Sequence, residues 1–283
     1  MEESKNSLKD PRFKPIFTQI VGNTISWCWF LMLGEILTRG RRYDITSGSL
    51  DFEGNFRLSM PLVVEMHTPS VRPLAPYIPE GKNVPAPTTE EAIQEYMKYL
   101  LSREKQPNEH YTYGEDLWWQ VEEVIKYYKR YGFGNACCHM VVGRPESFLF
   151  YNREVDYTEF VAVEDRTSGK LIFSRHITNT WNKDLRIEVS SQCLRGVDTW
   201  VQNGRLYFCC YFRSQDAWAG FPQNYGGLQL VKEYMASCLN LEDGPLIAIS
   251  KDLHFYRDNI PYGLEMIGKK AEELSWFEPE VRL

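Results

Sequence analysis

Residues 192–224, QCLRGVDTWVQNGRLYFCCYFRSQDAWAGFPQN, place a thiol, an anion-binding pair and an amide in fixed order along the chain. Cys193 is a nucleophile once ionised, and it ionises readily at neutral pH only beside a positive group. Arg213 and Ser214 offer a guanidinium and a hydroxyl that suit a phosphate, and the amide of Asn224 carries a donor and an acceptor on one rigid plane. The elements that hold these groups are legible nearby. From Thr199 to Phe212 the chain is rich in β-branched and aromatic residues, broken by Asn203 and Gly204, the strongest short hairpin signal. Cys193 is therefore expected at or just before one hairpin strand, with Arg213 and Ser214 at the end of the other. Tyr225, Leu228, Val231, Tyr234, Met235 and Leu239 follow at near-helical spacing, which puts Asn224 near the start of a buried helix.

These residues resemble the active-site half of thymidylate synthase and its relatives, the pyrimidine nucleotide hydroxymethylases. In that family a catalytic Cys precedes an R-S-x-D motif by twenty residues, and here Cys193 precedes RSQD by 213 − 193 = 20. Asp252, His254 and Tyr256 in KDLHFY resemble its D-x-H-x-Y, and Tyr113 with Gly114 resembles its Y-G pair. The resemblance spans roughly residues 110 to 256. It implies an α+β fold, a mixed β-sheet with packed helices, and a C2 homodimer whose sheets stack face to face and whose sites borrow phosphate ligands from the partner.

It also implies a mechanism. Carbon 5 of a pyrimidine becomes nucleophilic when a thiolate, here that of Cys193, adds to carbon 6. The carbanion then attacks a one-carbon unit supplied by 5,10-methylenetetrahydrofolate. Loss of the carbon 5 proton releases the pterin and leaves an exocyclic methylene, to which hydride gives a methyl group and water a hydroxymethyl group. Arg213, across the hairpin, would favour the thiolate and pair with the substrate phosphate, and Ser214 would add a donor. Asp216 would anchor the base ring through its carboxylate or a backbone group. His254 and Tyr256 match positions that hold the sugar hydroxyl, and Tyr113 matches a phenol that orders proton transfer. Asn224 matches the O4 and N3–H edge of uracil, whereas an Asp would suit the amino group of cytosine. The expected reaction is one-carbon transfer to dUMP, giving dTMP. One alternative is 5-hydroxymethylation of dUMP, dCMP or CMP, and a second is a non-catalytic nucleotide-binding homodimer.

The pattern departs from the family in several places. Leu194 and Arg195 follow the nucleophile where methylases usually carry His or Gln. The N-terminal phosphate loop is replaced by RRYDITSGS, leaving Arg41 or Arg42 as substitutes, unless the arginines at 39, 41 and 42 are only a solvated helix end. The family's adjacent arginine pair is absent, and Arg144, Arg175 or Arg186 could fill that role. Glu65 and Glu115 are the candidates for the glutamate that handles protons near the pterin.

The whole chain is consistent with this chemistry. Its 283 residues, 43% hydrophobic and 14% aromatic, suffice for one sizeable core, read as a single domain over 1–283 with a polar segment at 1–14 that is expected to be mobile. A formal charge of −6 argues against a nucleic-acid polymer as partner, while a single nucleotide needs only a local cluster. The most apolar run, Trp27 to Leu37, is too short to span a bilayer, no secretory signal is read, and seven cysteines form no disulfide framework, so a reducing cytoplasm is expected. Cys137, Cys138 and His139 read as core packing, with no metal site expected. Trp118 and Trp119 either border a pterin pocket or pack a helix.

Further elements are expected as follows. Residues 15–40 read as an amphipathic helix with Trp27, Phe30, Leu31, Ile36 and Leu37 on its apolar face, stopping at Gly40. Residues 50–66 read as two strands about Gly54 and Asn55, and 69–87 as a Pro-rich surface crossing. Thr88 and Glu91 read as a capping box opening a helix, and Leu117 to Tyr128 as another that stops near Gly132 or Gly134. Strands are expected around 137–142, 147–151, 157–163 and 170–177.

Overall fold

The computed structural model describes residues 17–45, 55–104, 111–134, 137–143, 161–165, 170–174 and 192–277. Among them an α+β architecture is built on one mixed sheet. Its strands are β1 (Thr18–Gly22), β2 (Arg41–Asp44), β3 (Phe56–Met66), β4 (His139–Val141), β7 (Leu194–Gln202), β8 (Arg205–Phe212), β9 (Gln215–Asp216) and β10 (Glu242–Tyr256). The spatial order is β1-β3-β10-β8-β7-β4, with β2 pairing β3 and β9 pairing β10. A separate antiparallel pair joins β5 (Val161–Asp165) to β6 (Lys170–Ser174). The helices are α1 (Ile25–Arg39), α2 (Glu90–Leu101), α3 (Gly114–Tyr131), α4 (Gly220–Leu239) and α5 (Ile260–Ile267).

The hairpin forms as its sequence requires. Asn203 and Gly204 both take positive φ, 51° and 73°, the two-residue turn that matches strand twist. β7 and β8 then run antiparallel, with Leu194 opposite Phe212. β8 and β10 run parallel, with α4 as the crossover between them. Three chain ends therefore meet at one end of the sheet: the start of β7, the end of β8, and the last third of β10. A register shift between Ser250 and Leu253 in β10 lets β9 replace β8 as its neighbour, so that His254 lies opposite Asp216.

The N-terminal expectation needs correction. Residues 18–22 are a strand parallel to β3 with alternating burial, and the helix starts only at Ile25, where Thr24 caps it by accepting the Trp27 N–H at 3.1 Å. The buried face of α1 carries Ile25, Cys28, Trp29, Met32, Leu33, Ile36 and Leu37, while Trp27 is 51% exposed. Burial of Trp29 matters for the site, because its indole N–H donates to the carbonyls of Ala217 and Trp218 at 3.1 and 3.0 Å and pins the turn after RSQD. Arg41 and Arg42 do not end that helix; they open β2, whose partner is β3. The expected strand at 50–53 lies outside the described residues.

The α2 cap is Thr89, one residue later than expected: its hydroxyl accepts the Ala92 N–H at 3.2 Å. α3 stops at Gly132, φ 77°, as expected. Of the later expected strands, 147–151 is outside the described residues, and the remainder appear in part as β4, β5 and β6. The 69–87 segment crosses the surface without helix or strand. Trp118 and Trp119 are exposed rather than packed, 40% and 47%, with the Arg103 guanidinium 4.8 Å from the Trp118 ring centroid.

Two glycines decide how closely α2 approaches α4. A Cβ on Gly226 would meet Ile93 Cγ2 at 2.8 Å, and one on Gly227 would meet Tyr96 Cδ1 at 2.6 Å. This contact carries Tyr96 to the first turns of α4.

The same helix buries a lysine. Lys232 is fully buried, donates to the Gly244 carbonyl and sits 3.4 Å from the Asp243 carboxylate, which also accepts from Gln229 at 2.9 Å. Burial pulls its pKa down to about 8, with Asp243 opposing the shift. The unfolded chain therefore binds more protons than the folded one between about pH 8 and the ordinary lysine value, so this group adds stability as pH rises through that window and withdraws it as pH falls. The wild-type protein minus Lys232→Met is expected to show an unfolding free energy that climbs by about 2 kcal/mol from pH 8 to 10.5 in denaturant titrations. A flat difference would show that Asp243 fully offsets burial.

Candidate active site

Cys193 precedes β7 directly and Arg213 follows β8 directly, so the antiparallel pairing sets them side by side. The Arg213 N–H donates to the Cys193 carbonyl at 2.9 Å, the Arg213 Nε to the Gln192 carbonyl at 3.2 Å, and the Arg213 Nη2 lies 3.9 Å from the Cys193 sulfur. The hydroxyl of Tyr111 is 3.8 Å from the same sulfur. The thiol is half-buried. Two donors thus face it, a charged one and a neutral one.

Ser214 is joined to β10. Its hydroxyl is 3.3 Å from His254 Nδ1, which is also 3.2 Å from the Asp252 carbonyl oxygen. His254 is buried, and burial together with the nearby Arg57 guanidinium lowers its pKa, so a neutral imidazole faces the site at pH 7. The Tyr256 ring stands 4.9 Å from the imidazole, edge to face. Asp252 is held by Arg57 at 3.1 Å and by the Ser59 hydroxyl, which braces the shifted register of β10.

Asp216 has both carboxylate oxygens committed to the start of α4: Oδ2 accepts from the Ala219 and Gly220 N–H groups, each at 2.8 Å, and Oδ1 from Trp218 at 3.3 Å. The carboxylate complements the positive end of the helix. Of the two ring-anchoring modes expected for this residue, the backbone one is left uncommitted by these contacts.

Asn224 lies in the second turn of α4, half-buried, with its Nδ2 donating to the Tyr96 hydroxyl at 2.6 Å and its Oδ1 accepting from Gln215 Nε2 at 3.2 Å. Tyr113 is buried at the start of α3. Its hydroxyl accepts the Leu194 N–H at 3.4 Å, and burial and the neighbouring phenols push its pKa well above the ordinary range. Leu194 itself is fully buried, so the residue after Cys193 faces the core.

Of the two N-terminal arginines, Arg42 lies over the Phe56 ring at 4.3 Å and pairs with Asp44 at 3.3 Å. Arg41 is opposite Ser59, and Ser59 is opposite His254, so Arg41 is exposed on the face that carries the site. Arg144, Arg175 and Arg186 lie outside the described residues. Glu65 is not near the site: it lies six residues along β3 from Ser59, about 20 Å by strand rise, and it pairs with His67 at 3.4 Å. Glu115 is in the first turn of α3, next to Tyr113. No cluster of metal-ligating side chains occurs among the described residues.

Sequence reasoning missed most of the site's lining. Tyr96, Tyr99, Tyr111 and Tyr113 form one aromatic cluster, with Tyr96 stacked on Tyr99 at 5.4 Å and Tyr113 meeting Tyr99 and Tyr111 at 5.6 Å each. A cleft of about 750 Å³ opens beside it, lined by Tyr96, Tyr99, Tyr113, Gln223 and Asn224 among others. The only signal in the sequence was four tyrosines within eighteen residues, two of them at helical i, i+3 spacing.

A family model described as thymidylate synthase matches residues 162–280. The chain is 26% identical over 239 residues to the "Putative thymidylate synthase" of Methanosarcina acetivorans, covering 84% of this chain and 88% of that protein. It is 34% identical over 90 residues to the thymidylate synthase of Staphylococcus haemolyticus, 30% of this chain and 27% of that enzyme. Among solved structures, the thermostable thymidylate synthase A from Bacillus subtilis superposes with a TM-score of 0.54 at 14% identity, over 87% of this chain and 84% of that one, which establishes the shared fold. No helix among the described residues is long and apolar enough to cross a membrane.

Proposed function

We propose, since this chain belongs to the thymidylate synthase family, that it transfers a one-carbon unit to carbon 5 of dUMP and forms dTMP through a covalent Cys193 adduct. The observation that carries this reading is the convergence on one sulfur of Arg213 Nη2 at 3.9 Å and the Tyr111 hydroxyl at 3.8 Å, beside an amide that can read a base. The Cys193 sulfur adds to carbon 6, and the electron pair of the 5,6 double bond moves onto carbon 5 and the O4 carbonyl. The Asn224 amide N–H meets O4, where that charge gathers. Arg213 and Ser214 hold the 5′-phosphate, and His254 and Tyr256 take the sugar hydroxyl. Tyr113, kept protonated by its surroundings, is placed to order a proton at the ring.

The cleft beside the tyrosine cluster fits a planar bicyclic ring on an aromatic wall, with Lys98 and Gln223 on its margin. Bound there, 5,10-methylenetetrahydrofolate supplies the one-carbon unit and, for a methyl product, the hydride. A homodimer belongs to the same reading. Tyr207, Cys209, Tyr211, Ile247, Ile249 and Val63 alternate with the buried residues of β8, β10 and β3, and so form an apolar outward face, with Tyr211 39% exposed.

The test is incubation with dUMP and methylenetetrahydrofolate, following dihydrofolate absorbance and product mass, with sedimentation of the same sample. dTMP, a gain of one CH₂, together with dihydrofolate and a two-chain particle is expected. A gain of CH₂O without dihydrofolate would overturn methylation in favour of hydroxymethylation. Tight nucleotide binding without tritium release from carbon 5 would overturn catalysis altogether.

A further inference from the structure

An amide can read uracil or cytosine, depending only on which way round it stands. Uracil presents an acceptor at O4 beside a donor at N3, and cytosine presents a donor at N4 beside an acceptor at N3, so a half-turn of the Asn224 amide exchanges one preference for the other. What holds that amide in place is therefore a question of specificity. Leu194, fully buried, offers it nothing polar.

Four side chains form a continuous relay. The Ser250 hydroxyl donates to Gln215 Oε1 at 2.5 Å, Gln215 Nε2 donates to Asn224 Oδ1 at 3.2 Å, and Asn224 Nδ2 donates to the Tyr96 hydroxyl at 2.6 Å. Ser250 and Gln215 are each 2% exposed, so the relay is anchored in the core at one end. Its other end is Tyr96, on the wall of the cleft. Burial and the neighbouring Tyr99 and Tyr111 raise the Tyr96 pKa far above its ordinary value, so its hydroxyl keeps a proton and can either accept or donate. Close packing of Tyr96 on Gly227 keeps the phenol within reach. The chain of bonds is self-consistent in one direction or in the other, and both amides turn together, because each amide N–H₂ can only donate and each carbonyl can only accept.

We propose that the direction of this relay sets the base preference, and that Tyr96 and Gln215 are specificity-determining residues that hold Asn224 in its uracil-reading orientation. The inference rests on the reading of Asn224 as the group that meets the base. It deepens that reading by moving the choice of base to two side chains that need not touch the ring.

Gln215→Glu tests it directly. A carboxylate only accepts, so Glu at 215 takes a bond from Ser250 and a second from Asn224 Nδ2, which turns the Asn224 carbonyl toward the Tyr96 hydroxyl as donor. Affinities for dUMP and dCMP, measured by calorimetry on the full-length protein, are expected to shift by about tenfold in their ratio toward dCMP, the worth of roughly one neutral hydrogen bond. Tyr96→Phe removes the other anchor without removing the ring, and is expected to lower discrimination by about threefold to tenfold. It decides the matter if the buried carboxylate prevents folding. Wild-type protein that binds dCMP as well as dUMP would overturn the uracil reading underneath. Wild-type preference for dUMP, retained at the same ratio in folded Tyr96→Phe and in Gln215→Glu where that folds, would overturn the relay and leave the uracil reading standing.

Discussion

Alanine at Cys193 is expected to stop tritium release from carbon 5 of dUMP, with turnover falling on the order of 10⁴-fold or more, because under the proposed function its thiolate forms the carbon 6 bond. Nucleotide affinity should stay within a few-fold of wild type. Arg213, Ser214, His254 and Asn224 are held by contacts that do not use the Cys193 side chain, apart from the sulfur contact of Arg213. Single-turnover tritium release and calorimetry on the same preparation separate the two effects. Serine should restore little, since a neutral hydroxyl is a far weaker nucleophile than a thiolate. Turnover of the alanine protein within tenfold of wild type would sink the covalent mechanism, and loss of binding in parallel would show that Cys193 is structural.

The second large effect is expected at Arg213. Its guanidinium donates to the Gln192 carbonyl, approaches the Cys193 sulfur, and under the proposed function pairs with the substrate phosphate. Truncating one partner of such a charged set costs several kcal/mol, so Arg213→Ala should lose on the order of 10²- to 10³-fold in kcat/KM for dUMP. Arg213→Lys keeps the charge and loses the planar fork, and should recover only part of this. The informative readout is the ratio of dUMP to deoxyuridine. If Arg213 holds the phosphate, the variants should weaken dUMP and leave the nucleoside almost untouched; equal losses would reduce Arg213 to a prop for Cys193.

The parts of this site that could be read in advance are those built from neighbours in sequence. Asn203 and Gly204 require a tight turn, and the turn alone places residue 193 beside residue 213. The periodicity after Gln223 announced α4, and the D-x-H-x-Y alternation put Asp252, His254 and Tyr256 on one face of a strand. Where a boundary was misread, a short-range signal had lost to a long-range one. Residues 18–22 look apolar enough to extend α1, yet they pair with residues 62–66 as a strand. Asp216 caps the start of a helix three residues away, a local role that its residue type alone did not announce.

By itself the amino-acid order determined the hairpin that sets Cys193 beside Arg213 and the α+β class, because each of these depends on residue type or on contacts within a few positions. Only the tertiary structure decided what surrounds them. The Tyr96 hydroxyl reaches Asn224 across 128 positions and Arg57 reaches Asp252 across 195, through the packing of α2 on α4 and of β3 on β10. Such contacts are selected by the burial of whole faces against one another, and no local spacing encodes which side chains then find themselves within a hydrogen bond.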